Sequence, residues 1–82
     1  MQSAPVSRQL HSTKYAKLRE VLTAERLSAG LTQSALADRL KRPQSFVSKF
    51  EIGERHLDVI EFIGICKALG VDPKEILGKV VR

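Results

Sequence analysis

The sequence predicts an all-α domain. Apolar residues recur at helical spacing along most of its length, and no stretch alternates as a strand would. Capping residues and glycines divide the chain into five helical segments. With 82 residues, 43% of them apolar, the chain supports one small core.

Residues 1–12, MQSAPVSRQLHS, are polar, contain Pro5 and lack periodicity, so they read as a flexible N-terminal arm ahead of a domain at 13–82. Arg8 and Lys14 are basic enough to meet phosphate, and a terminus with no role explains them equally well. The first helix spans about 13–29, with Leu18, Leu22, Glu25/Arg26 and Ala29 on one stripe and Tyr15 at its beginning. Gly30 ends it, free to adopt the left-handed conformation. Thr32 caps the second helix, 33–40, which turns Leu36, Ala37 and Leu40 inward. The third follows Pro43, which suits a helix start and pushes Arg42 out of helical geometry. It runs over 44–51, with Val47 and Phe50 inward and Gly53 beyond its end.

Two capping devices mark the last helices. Asp58 and Glu61 form a capping pair, with Leu57 and Phe62 as its hydrophobic staple, and open a helix at 59–69. Its inward stripe is Val59, Phe62, Ile65, Cys66 and Leu69, and Gly70 ends it. The device repeats at 71–76. Asp72 caps, Pro73 opens, Glu75 reaches back, and Val71 staples to Ile76. The fifth helix covers 73–81 with Ile76 and Leu77 as core residues, and Gly78 weakens its end.

The net charge is +5, unevenly spread. Residues 1–32 hold five basic and two acidic side chains, residues 33–56 five and three, and residues 57–82 four of each. The excess therefore lies in the first three helices and the arm. Nucleic acid is the partner this favours, since phosphate contacts supply most non-specific affinity, although ordinary solubility also fits. The lone Cys66 sits in an apolar helical pattern and reads as a small buried hydrophobe over a reactive thiol. A cytoplasmic setting fits, with no apolar run at the N-terminus for a secretory signal. No segment approaches the ~20 apolar residues that cross a bilayer.

Catalysis finds little support. His11 and His56 are the only histidines, and neither is placed beside Cys66 as a base for a nucleophile. There is no metal-ligand spacing, no phosphate-cradling glycine loop, and no cofactor is expected.

The second and third helices, joined by a tight break, have the layout of a helix-turn-helix. With Val47 and Phe50 facing the core, Gln44, Ser45, Ser48 and Lys49 occupy the outer side of the third helix. Such side chains match base edges in a major groove: glutamine pairs bidentately with adenine, serine contacts either purine, and lysine reaches guanine or phosphate. A solvated polar face is the plainer explanation. Arg42, Pro43 and the charge bias weigh against it.

Residues 18–77 resemble the XRE family of helix-turn-helix proteins, typified by phage Cro and lambda-type repressors. The resemblance rests on GLTQ at 30–33, Leu36-Ala37, the stretch from Ser45 to Arg55, and CKALGV at 66–71. It implies a compact five-helix, lambda-repressor-like domain binding double-stranded DNA, usually as a homodimer, in transcriptional control. By matching position, Gln33 resembles the glutamine that touches the DNA backbone and braces the first residue of the recognition helix. Gln44 and Ser45 match base-reading positions, and Lys49 a later one. Arg26 and Glu51 match a pair that bridges the first helix to the end of the third. Arg55 and His56 fall where the family contacts phosphate, and His56 equally suits a plain loop.

Three positions depart from the family pattern. Lys41 stands where glycine is usual, so either it takes positive φ at some strain or Arg42-Pro43 reshapes the turn. Pro43 replaces a capping serine or threonine, and Ile52 replaces a polar residue.

Ile60, Ile63, Val80 and Val81 fall outside the assigned core and predict contact with a twofold-related copy. Short relatives such as restriction–modification controller proteins dimerise through this end. A repressor on a palindromic operator is the expected output. The alternatives are an antitoxin-like autoregulator or a protein-interaction module that kept the fold, and the polar set Gln33, Gln44 and Lys49 speaks against the latter.

Overall fold

Ser12 opens the first helix: its Oγ accepts the Tyr15 backbone N–H at 3.2 Å. The computed structural model describes residues 12–82, so Arg8, His11 and the rest of the expected arm lie outside the described residues. Five helices follow: α1 Thr13–Ser28, α2 Gln33–Leu40, α3 Gln44–Glu51, α4 Val59–Leu69 and α5 Pro73–Val81. The described residues contain no strand.

Local chemistry explains these boundaries. Thr32 Oγ1 accepts the Ala35 N–H at 3.0 Å at the start of α2. Asp58 and Glu61 close a full capping box on α4, with Asp58 Oδ1 accepting the Glu61 N–H at 2.7 Å and Glu61 Oε1 accepting the Asp58 N–H at 3.0 Å. The start of α5 is simpler than the sequence suggests. Asp72 Oδ1 accepts from Lys74 N–H at 2.9 Å, one residue earlier than a capping box requires, and no return bond from Glu75 forms. Pro43 precedes α3 with no side-chain cap.

Helices α1 to α4 close in one manner. A residue at positive φ stands directly after α2 and α4 and one place further on after α1 and α3, and in each case it and its successor donate to carbonyls three and five residues back. Glycine fills this position at Gly30, Gly53 and Gly70, and Lys41 fills it at the end of α2 with φ 57°. A left-handed residue with a Cβ costs roughly 1–2 kcal/mol. At Gly53 a second constraint applies, because an added Cβ would stand 3.0 Å from the Arg19 guanidinium carbon.

The core joins Leu22 of α1, Leu36 and Ala37 of α2, Phe46, Val47 and Phe50 of α3, Phe62, Ile65, Cys66 and Leu69 of α4, and Ile76 of α5. Each such large side chain contributes about 1.5–3 kcal/mol on burial. Helix α1 packs on α3, α4 and α5, and α2 packs on α3 and α4. Two lysines fasten α1 to α5: Lys14 Nζ donates to the carbonyls of Val81 and Val80 at 3.0 and 3.3 Å, and Lys79 meets Glu25 at 3.3 Å. Lys14 thus satisfies orphan carbonyls at a helix C-terminus and offsets its negative pole, so it is committed within the fold. Arg39 does the same for α4 through Ala68 O at 2.9 Å.

Several inward and outward assignments change. Ala29 is exposed, because α1 ends one residue sooner. Val59 is 70% exposed, since it stands in the first turn of α4 where Leu57 already covers the end of the core. On α5 the buried pair is Ile76 and Val80, one turn apart, leaving Leu77 and Val81 outside. Val80, expected at a dimer contact, is therefore a core residue. Ile63 is half-buried against the same core, whereas Ile60 is fully outside. Phe46, not assigned inward from the sequence, is buried and meets Phe50 edge-to-face, with centroids 5.7 Å apart.

Candidate nucleic-acid interface

Helix α3 has three buried residues, Phe46, Val47 and Phe50, and these decide which side chains face outward. Gln44, Ser45 and Lys49 are exposed, and Ser48 is half-buried. The exposed set lies over the first two turns of an eight-residue helix whose N-terminal amides have no side-chain cap.

A chain of polar contacts runs from inside the domain to this face. Arg26 Nε and Nη2 meet the two Glu51 oxygens at 2.7 and 3.0 Å, and Arg26 Nη1 donates to the Leu31 carbonyl at 2.8 Å. Glu51 Oε1 also accepts from Gln33 Nε2 at 2.9 Å. Gln33 Oε1 in turn accepts from Gln44 Nε2 at 3.2 Å. The first pair is almost wholly buried, and the last residue is exposed. Fixed donors and acceptors thus set the Gln44 amide orientation, leaving its oxygen and one N–H for a ligand. The hydrogen bond from Arg26 to Glu51 holds the guanidinium pKa above its ordinary value.

The second cluster gathers around Phe46. Arg55 makes a bidentate pair with Glu61, both bonds 2.9 Å, and also donates to the His56 carbonyl at 2.7 Å. Arg42 reaches Glu61 only at 3.4 and 3.5 Å and lies over the Phe46 ring, 4.1 Å from its centroid. The Arg55 guanidinium lies 4.7 Å from the same centroid. Phe46 is thus covered by two cations as well as by the core, which explains its burial on the rim of α3. The Arg55 hydrogen bonds hold the Glu61 carboxyl at about 2, well below the usual carboxylate range. Arg55, placed by the sequence at a phosphate contact, is bound to the protein here, and Arg42 is held more loosely.

His56 turns inward and stacks on Tyr15 of α1, centroids 4.6 Å apart and planes within 7°. That contact ties the loop after α3 to the first helix. Neither the Gln33–Glu51 bond nor the Tyr15–His56 stack was read from the sequence. The polar residue at the start of α2 and the single aromatic in the first turn of α1 were the only signals available. Cys66 is fully buried, and burial pushes its thiol up to about 11, so it is not nucleophilic at neutral pH. Among the described residues no group of His, Cys, Asp and Glu is placed to hold a metal, and no helix is long and apolar enough to cross a membrane.

A family model described as helix-turn-helix matches residues 22–76. No curated protein sequence matches the chain. Among solved structures, an XRE-family like protein from Pseudomonas syringae pv. tomato is 46% identical over 95% of both chains, with a TM-score of 0.83. The restriction–modification controller protein C.Esp1396I is 26% identical over 85% of this chain and 92% of its own, with a TM-score of 0.79. The controller protein C.AhdI from Aeromonas hydrophila is 26% identical over 79% of this chain and 98% of its own, with a TM-score of 0.73. A five-helix domain with a polar outer face on its third helix, matched by that family model over most of its length, belongs to the XRE-type helix-turn-helix family of DNA-binding regulators.

Proposed function

We propose that the chain is a homodimeric transcriptional repressor that reads a palindromic operator in double-stranded DNA through α3. The observation that carries this reading is the path Arg26–Glu51–Gln33–Gln44, which ends on an exposed amide at the start of α3. Gln44 and Ser45 act on base edges, Lys49 on a base or the adjoining phosphate, and Ser48 at the margin of the contact. Gln33 braces Gln44 and meets the backbone. Arg42, with its long bonds and partly exposed side chain, swings to phosphate at small cost. Arg55 acts through Glu61 and Phe46 to hold the loop behind α3.

A second copy is the partner for the aliphatic residues left outside the core. Ile60 and Val59 open α4, and Leu77 and Val81 lie along α5, all of them exposed. The short link between these two packed helices turns the chain back, so the start of α4 and the end of α5 fall at one end of the domain. Such a pairing sets two α3 helices about 34 Å apart, one turn of B-DNA. Controller proteins of restriction–modification systems, at 26% identity, are regulators of comparable length, which supports the regulatory reading. A domain of this size represses by occupying a site that overlaps a promoter.

Selection from a random-sequence duplex library with the purified protein tests the proposal. The expected product is an enriched palindrome with half-site centres about 10 base pairs apart. A library that shows no enrichment overturns it and leaves a protein-interaction module as the better account.

A further inference from the structure

Four helices of this domain end in the same hydrogen-bonded turn, and three of them use glycine for it. The exception is Lys41, in the turn that leads into α3. Its φ of 57° and ψ of 41° match the glycine geometry, and its N–H and that of Arg42 donate to Asp38 and Ala37 as the other turns do, at 3.2 and 3.0 Å. The side chain is exposed and contributes nothing to the turn. A residue kept in a conformation that opposes its own Cβ points to a use for the side chain.

The other cations of this region narrow that use. Arg39 is bound to the Ala68 carbonyl and Arg55 to Glu61, and Arg42 rests on the Phe46 ring and, at 3.4 Å, on Glu61, which it must leave to meet phosphate. Between residues 33 and 56 the basic side chains without a partner among the described residues are Lys41 and Lys49, which stand just before α3 and at its sixth residue. We propose that Lys41 is a phosphate-contact residue, held beside the DNA backbone at the entrance of α3 at the cost of backbone strain. The proposal rests on the DNA-binding reading above and adds a residue to it. A phosphate contact made by a mobile ammonium group is indifferent to base sequence, so Lys41 sets affinity and salt dependence while Gln44 and Ser45 set preference.

Fluorescence anisotropy tests this, with the parent, Lys41→Gly and Lys41→Arg each titrated on the selected operator duplex and on an unrelated duplex across a range of salt. Glycine relieves the strain, so that variant melts several degrees higher than the parent. It nonetheless binds both duplexes several-fold more weakly at low salt, and its plot of log K against log salt is shallower by about 0.9. Lys41→Arg keeps the parent slope. An unchanged slope in Lys41→Gly, with the parent binding DNA normally, overturns the phosphate contact alone. A Lys41→Gly protein that melts no higher than the parent overturns the exchange of strain for contact. A parent that shows no salt-dependent duplex binding overturns the DNA-binding reading and this proposal with it.

Discussion

Arg26 and Glu51 face each other fork to fork, Nε to Oε2 at 2.7 Å and Nη2 to Oε1 at 3.0 Å, with both side chains almost out of solvent. The pair joins α1 to Glu51, the last residue of α3. It also presents the carboxylate that Gln33 uses to hold Gln44. Its architectural effect is therefore linked to the placing of the Gln44 amide.

Removing one partner strands a buried charge. Arg26→Met leaves Glu51 with Gln33 as its remaining side-chain donor and should destabilise the domain by about 3–5 kcal/mol. For a domain of this size that lowers Tm by roughly 15 °C or more. Arg26→Met with Glu51→Leu removes both charges and should melt above either single variant, yet the Gln33 amide then lacks its acceptor. The double variant is expected to recover stability without recovering operator affinity. Thermal melts and duplex titrations read the two effects separately, and full recovery of binding would show that the path to Gln44 has no role.

Glu61 makes stability depend on acid. It accepts from Arg55, Arg42 and the Asp58 amide, and its folded-state carboxyl sits at about 2. A carboxylate whose pKa is lowered by folding stabilises the protein fully above its unfolded value, near pH 4.3, and loses that contribution as pH falls toward 2. Allowing for solvent around the partly exposed Arg55, the contribution is about 2 kcal/mol. Glu61→Gln should therefore be less stable than the parent at pH 7 by about that amount, and the gap should close near pH 2. Urea unfolding at several pH values measures it. A constant gap would assign the stabilisation to packing instead of charge.

What the sequence shows of this fold follows the range of each interaction. The cap at Thr32, the capping box of Asp58 with Glu61, and the glycine stops at Gly30 and Gly70 act within a few residues, so they stand out along the chain. The five helices fall where those signals placed them. The width of each inward stripe is set by the neighbouring helix, which explains why Val59 and Leu77 turn outward and Val80 turns inward. Phe46 escaped for a related reason: two arginines complete its burial, one of them nine residues away. The outer face of α3 follows from the buried positions Val47 and Phe50. The bond from Gln33 to Glu51 spans eighteen residues, and no spacing rule reaches that far.

The proposed role of Gln44 in base reading separates base preference from charge. Its Nε2 is engaged by Gln33 Oε1 at 3.2 Å, so truncation removes a held amide and frees Gln33 as well. Gln44→Ala should lose about 1–3 kcal/mol of discrimination at one position of each half-site. The salt slope should stay close to the parent's, because no cation is lost. Competition titrations with single-base operator variants give the answer. Unchanged discrimination would assign base reading to Ser45 and Lys49.

Dimerisation is best tested at residues that leave the core intact. Ile60 is 76% exposed and Val81 70% exposed, whereas Ile63 packs against the core and Val80 is buried. Ile60→Asp with Val81→Asp should therefore keep the fold and its melting behaviour while placing charge in the paired surface. Sedimentation of the parent should read close to twice the 9.1 kDa chain mass, and the variant close to the single chain. Operator affinity should fall by a factor of about 100 or more, because two linked contacts become two separate ones. Ile63→Asp and Val80→Asp should instead unfold the domain, since each puts a charge against apolar side chains. A parent that already sediments as a single chain would rule out the pairing.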